Sequence, residues 1–172
     1  LAGRAVFRTN VIGGTTTTRS EIPWPAGDRV VLIDTPGLAE VRGETRAAEA
    51  AEAAKNADLV LYVVDGPLKS YERDLLEVLG EMEKRIVVCL NKEDWYDAEQ
   101  RDELLRQIAE QVKPAVGAAD VVAVRSRPAA RRRVRVLTDG REQDEEVAIE
   151  PDISPLAGRM MAIVRRDGSD LL

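Results

Sequence analysis

The chain predicts an α/β fold built on a mostly parallel sheet wrapped by helices, and three observations carry that expectation. The runs Arg29-Val30-Val31-Leu32-Ile33 and Ile86-Val87-Val88-Cys89-Leu90 are β-branched-rich and too short for helices, as expected of strands buried on both faces. Stretches of helical composition alternate with such runs, the pattern of parallel strands joined by crossovers. Each run is followed at once by a polar tetrapeptide, Asp34-Thr35-Pro36-Gly37 and Asn91-Lys92-Glu93-Asp94. In open α/β sheets, ligands bind just beyond such carboxyl ends.

In chain order, residues 21–24 and 28–33 flank a turn containing Pro25 and Gly27 and predict an antiparallel hairpin. Residues 45–55 predict a helix so rich in alanine and glutamate that it reads as a solvated face rather than a binding face. The run 57–65 predicts a strand ending at Asp65. Ser70 is expected to cap a helix to about Glu83, with Leu75, Leu76, Leu79 and Met82 at core spacing. After strand 86–90, a helix beginning past Asp97 is expected to bury Leu104, Leu105, Ile108 and Val112 before Pro114 stops it. Residues 120–124 predict the next strand.

Residues 129–150 read as an inserted β-hairpin turning at Asp139-Gly140, a type I′ signal. A two-residue turn there sets Arg135 opposite Asp144 and Arg133 opposite Glu146. The arginine cluster is thereby expected to pair across the strands rather than to bind a partner. Ser154-Pro155 starts a last helix, with Leu156, Met160, Ile163 and Val164 expected to face the sheet, ending near Gly168.

The length of 172 residues suits one domain over 1–172, and 44% hydrophobic content is enough for an ordinary core. A net charge of −6 argues against broad binding of nucleic acid or anionic membrane by this segment. With no histidine the chain builds neither a Ser-His-Asp triad nor a His-bearing zinc site, and its one cysteine forms no internal disulfide. Cys89 reads as core. No run of 18 apolar residues and no signal-peptide pattern occurs, so the default expectation is cytoplasmic.

The two tetrapeptides carry the chemistry. D-x-x-G after a strand offers the Asp34 carboxylate to Mg²⁺ and a Gly37 amide that can approach a terminal phosphate unobstructed. N-K-x-D discriminates guanine from adenine, because a carboxylate, Asp94, can accept from the ring N–H and exocyclic amine. Asn91 would supply an amide donor, and Lys92 would lay its aliphatic stem along the purine. The plainer alternative is a polar helix start with Asp94 as a cap.

On these motifs the chain resembles the Era-like GTPases, the group that includes Era, TrmE and EngA. Gly14-Thr15-Thr16-Thr17-Thr18-Arg19 is similar to that group's G-T-T-R switch segment, and Ala57-Asp58-Leu59-Val60-Leu61-Tyr62-Val63-Val64-Asp65 to its strand ending in aspartate. The resemblance spans residues 1–126. It implies a Ras-like P-loop NTPase fold in three layers, with GTP or GDP as ligand and Mg²⁺ as cofactor. Thr18 would then close over Mg²⁺ and the γ-phosphate, with Thr17 the second choice. In the turn Arg125-Ser126-Arg127, which departs from the family's S-A-K, Ser126 would contact the guanine edge.

One departure outweighs these matches. No G-x-x-x-x-G-K-[ST] loop occurs in the chain, although such a loop cradles the β- and γ-phosphates. Leu1-Ala2-Gly3-Arg4 reads as the end of the helix that should follow it. The expectation is a segment truncated before Leu1, lacking the first strand and phosphate loop. That strand would lie between those ending at Asp34 and Asp65. The segment alone is then expected to be impaired in nucleotide binding and inactive, its parent being a GTP-hydrolysing switch.

In that parent, water would attack the γ-phosphate in line, with catalysis mostly positioning and charge stabilisation. The water-orienting residue is not evident, since Leu38 follows Gly37 where Ras-type switches put glutamine. A hairpin-bearing domain leading into a membrane-associated helical module resembles some bacterial Era-like proteins, so truncation after Leu172 is also expected. The alternatives are a pseudo-GTPase scaffold that binds protein partners through the hairpin, and an ATP-using enzyme, which adenine's mismatch with Asp94 disfavours.

Overall fold

The structure is a computed structural model that describes residues 20–23, 31–34, 48, 51–52, 54–55, 57–136, 138 and 140–168, with backbone alone for 20–23, 31–34, 167 and 168. In chain order the elements are β1 (Ser20–Pro23), β2 (Val31–Asp34), β3 (Leu59–Val64), α1 (Ser70–Glu81), β4 (Arg85–Leu90), α2 (Ala98–Gln111), β5 (Val121–Ala123), β6 (Ala129–Val136), β7 (Glu142–Ile149) and α3 (Ser154–Gly168). Before β3, Ala48, Ala51, Glu52, Ala54 and Lys55 are helical, within the expected helix.

Strands β3, β4 and β5 form a parallel sheet in that order, β1 pairs antiparallel with β2, and β6 pairs antiparallel with β7. The mixed α/β architecture and the first hairpin are as expected. The turn residues Pro25 and Gly27 lie outside the described residues, as do Leu1 to Arg4. Among the described residues no ladder joins β2 to β3.

The strand alternation sorts side chains onto two cores. Tyr62, Val64, Ile86, Val88 and Leu90 pack with Leu75, Leu76 and Leu79 of α1 and Leu104 and Ile108 of α2. The intervening residues Val87 and Cys89 face the other way, onto Leu156, Met160 and Ile163 of α3. This is helix, sheet, helix: a period of 2 in the strands feeding two apolar helix stripes of period 3.6. Each fully buried leucine or isoleucine contributes about 1.5–3 kcal/mol relative to exposure.

The helix ends show how closely local chemistry was followed. Asp97 caps α2, its carboxylate accepting from the Gln100 amide at 2.8 Å while Gln100 Oε1 accepts from the Asp97 amide at 3.1 Å, a reciprocal capping box. At α1 the cap is Lys69, not Ser70. Its amide donates to Glu72 Oε2 at 2.7 Å, and the return bond is missing because an ammonium accepts nothing. That helix ends at Glu81, as Glu83 turns the chain at φ 55°. In α3 the amide and hydroxyl of Ser154 bond Asp152 Oδ1 at 2.9 and 2.6 Å, holding the Asp152 carboxyl below its usual range.

Two further expectations are corrected. Val164 is 46% exposed, because it lies one step past the stripe formed by Leu156, Met160 and Ile163. In the second hairpin Arg133 faces Glu145, Arg132 faces Glu146 and Arg135 faces Gln143, one residue out of the predicted register. The last pair, Val136 with Glu142, leaves an odd number of residues in the loop, with Gly140 at φ 80°. An odd loop shifts every pairing by one. Cross-strand charge pairing survives the slip, and Arg132 also bonds the diagonal Asp144.

Candidate functional site

The parallel register places three strand ends at one rim, since Val64 is level with Leu90 and Leu90 with Ala123. The ladder continues past the strands: the Asn91 amide donates to Val64 O at 2.8 Å, Val124 to Leu90 O at 2.8 Å and Glu93 to Val124 O at 3.2 Å. Asp65, Asn91 and Arg125 therefore leave the sheet side by side.

Lys92 then turns the chain at φ 62°, a conformation uncommon for a residue with a Cβ and found where surroundings enforce it. The 3₁₀ turn Glu93–Trp95 follows, closed by the Trp95 amide on Lys92 O at 3.0 Å. The Lys92 ammonium lies 3.2 Å from Asp65 Oδ2 and 4.4 Å from the centre of the Trp95 ring. Both carboxylate and ammonium are well exposed, so the pair is worth at most about 1 kcal/mol. With the ring contact, it sets the lysine ammonium between Asp65 and Trp95. The Tyr96 hydroxyl donates to Asp65 O at 3.0 Å and ties the turn back to β3.

Asn91 and Ser126 meet here, the Ser126 amide donating to Asn91 Oδ1 at 3.2 Å. A backbone N–H only donates, so the oxygen of Asn91 is the end that faces Ser126, and its two amide hydrogens remain for another acceptor. Glu93 takes a different role. Its carboxylate is bonded by Arg125 at 2.9 Å and approached by Arg101 at 3.7 Å, with Glu93 and Arg125 both largely buried. Among the described residues no hydrogen bond or ion pair engages the Asp94 carboxylate. The rim thus presents an unpaired acceptor, an amide donor and a lysine alkyl stem within one short segment. Such a set has the chemistry to meet the edge and face of a planar heterocycle bearing adjacent N–H donors.

Of the residues the sequence singled out, Asn91, Lys92, Asp94 and Ser126 are brought together. Thr18 and Gly37 lie outside the described residues, and Asp34 is described only as the backbone end of β2. Among the described residues no cluster of acidic or cysteine side chains suits a metal ion. Sequence reasoning missed Asp65, Tyr96, Trp95 and Arg125 as supports of this rim. Asp65 had a legible signal, standing after its strand as Asn91 stands after the next. A cavity lined by Lys84, Arg85, Val116 and Arg166 opens at the amino end of β4, away from this rim.

Residues 1–92 match the family model described as 50S ribosome-binding GTPase. The chain is 34% identical over 118 residues to GTPase Era of Clostridioides difficile (strain 630), covering 59% of this chain and 39% of that protein. It is 34% identical over 109 residues to GTPase Der of Campylobacter concisus (strain 13826), covering 59% of this chain and 23% of that protein. A solved structure of a probable GTP-binding protein engB superposes with a TM-score of 0.47 at 21% identity, covering 63% of this chain and 73% of that one. The chain spans less than two-fifths of the curated relatives it matches. The family match over residues 1–92 ends inside the N-K-E-D segment, at Lys92; it covers more than half of the chain, and the chain belongs to the family of 50S ribosome-binding GTPases.

Proposed function

We propose that this chain is a single G domain over 1–172, with the 129–150 hairpin inserted in it, and that its rim binds the guanine of GTP or GDP. The observation that carries this is the pairing of a Ser126-fixed Asn91 with a partner-free Asp94 two residues past Lys92. Asp94 would accept from the ring N–H and exocyclic amine, an arrangement adenine cannot satisfy. The Asn91 amide would donate to the far edge, and the Lys92 stem would cover one face.

At the phosphate end, Thr18 and Asp34 offer a hydroxyl and a carboxylate, the hard oxygen donors that suit Mg²⁺. Bound there, Mg²⁺ would neutralise charge on the phosphates, and the Gly37 amide would meet the γ-phosphate. The full-length protein is proposed to hydrolyse GTP and so to act as a switch. Hydrolysis is expected to be slow without help, because Leu38 carries no group to orient water.

The described helices include none long and apolar enough to cross a membrane; the location proposed is cytoplasmic, with membrane association through segments outside this chain. The acidic balance of the chain, and a register that sets Arg132 and Arg133 of β6 opposite glutamates, argue against direct nucleic-acid binding by the described residues. Calorimetry of the full-length protein with GDP, GTP and ATP tests the reading. Guanine nucleotides should bind in the micromolar range or tighter and ATP should not. Absence of guanine binding would turn the assignment to a scaffold, and preference for ATP would overturn it outright.

A further inference from the structure

Resting on the guanine-binding reading, we infer that the foot of the β6–β7 hairpin is part of the base-recognition apparatus, with Arg125 and Arg131 as positioning residues for Asp94. The turn Glu93–Trp95 that carries Asp94 is only three residues long, and so short a 3₁₀ turn has little stability of its own. Its geometry depends on what clamps it.

Two of those clamps come from the hairpin's foot. Arg131, in β6, donates from one guanidinium nitrogen to Tyr96 O at 3.1 Å and to Asp94 O at 3.5 Å, covering carbonyls at the end of the turn. These are the groups a short helix leaves unpaired. On the other strand's side, Arg125 donates from Nε to Glu150 O at 2.6 Å, just past β7, and from Nη1 to Glu93 Oε1 at 2.9 Å. Backbone bonds between Arg125 and Asp152, at 2.9 and 2.8 Å, fix this foot to the start of α3. Both ends of the hairpin thus reach the same turn, one through each arginine.

The consequence concerns specificity. A carboxylate held rigidly reads both N–H groups of guanine, whereas one on a loosened turn loses the second contact first. Inosine diphosphate, which lacks the exocyclic amine, offers only the ring N–H and is the probe of that second contact. Loosening the turn should therefore erode GDP binding more than IDP binding.

The experiment measures GDP and IDP affinities by calorimetry on the full-length protein and on three variants, with thermal unfolding of each. Arg131→Ala should weaken GDP about tenfold and bring the GDP-to-IDP ratio several-fold closer to one, at a thermal midpoint near that of the parent. Arg131→Lys, which restores one donor, should recover part of the ratio. Replacing residues 134–144 by a two-residue turn, which leaves both feet in place, should change neither affinity beyond twofold. An unchanged ratio in Arg131→Ala, a parallel loss of both nucleotides, or an equal effect from the shortened tip would overturn the inference while leaving guanine binding intact. Failure of the parent to bind GDP at all would instead remove the underlying reading, and the inference with it.

Discussion

The amide of Ser126 donates to Oδ1 of Asn91 at 3.2 Å, joining two loops 35 residues apart. This bond decides which end of the Asn91 amide faces outward. Substituting Asn91→Asp keeps an oxygen for Ser126 but exchanges the outward NH₂ for a second acceptor with charge. The expected outcome is loss of GDP affinity by about 10²-fold with little change in folding stability. Calorimetry paired with urea unfolding checks it, and retention of GDP affinity would show that Asn91 does not face the base.

Asp94 makes a complementary test, since nothing in the described protein occupies its carboxylate. Asp94→Asn replaces an acceptor with a group that can also donate. Guanosine diphosphate should weaken by about 10²-fold, while xanthosine diphosphate, with a carbonyl where guanine has its amine, should gain. Competition binding with the two nucleotides reads the change. A uniform loss of both would point to a collapsed turn rather than to base recognition.

How much of this was legible beforehand follows from the range of the interactions. The strand 86–90 announced itself through five apolar residues, and the alternation of Ile86, Val88 and Leu90 against Val87 and Cys89 became two cores because helices cover both faces. Asp97 with Gln100 was equally local. The hairpin register was not, because it depends on loop parity: an odd loop in place of the two-residue turn exchanged the predicted pair Arg133 and Glu146 for Arg133 and Glu145. Nor could spacing reveal that Arg125 reaches Glu93, 32 residues away, or that Asp65 receives Lys92. Side-chain partners brought together by topology leave no periodic trace, so the N-K-E-D tetrapeptide was legible while the residues that brace it were not.

Gly80 on α1 faces the chain after α2 so closely that a Cβ there would stand 2.9 Å from Ala115 Cβ and 3.7 Å from Ala115 Cα. Alanine gains about 1 kcal/mol of helix propensity over glycine, but crowding a packed contact costs about 1–3 kcal/mol. Gly80→Ala is expected to be net destabilising by about 1 kcal/mol in urea unfolding. Adding Ala115→Gly removes the opposing methyl and leaves an ordinary contact, so the double variant should recover most of the loss. If Gly80→Ala alone is stabilising, the helix and the 115 region do not approach as described.

Cys89 sits fully buried in β4 between Val88 and Leu90, and burial pushes its thiol up from 9.0 to about 11. The unfolded chain releases this proton near pH 9, whereas the folded chain keeps it until about pH 11. Between those values the native state binds more protons, so the slope of stability against pH is negative. The contribution is fully present below pH 9 and lost as pH rises to about 11, amounting to about 2–3 kcal/mol. Tyr62 acts in the same direction at higher pH, its phenol raised chiefly by burial and then by Glu72. Urea unfolding at steps from pH 8 to 11 should show the decline, and Cys89→Ala should flatten its first part while lowering stability throughout. Thiol labelling supplies the independent check: a native thiolate-poor, inaccessible Cys89 should react only as fast as the chain opens, and rapid labelling at pH 8 in the absence of urea would contradict its place in the core.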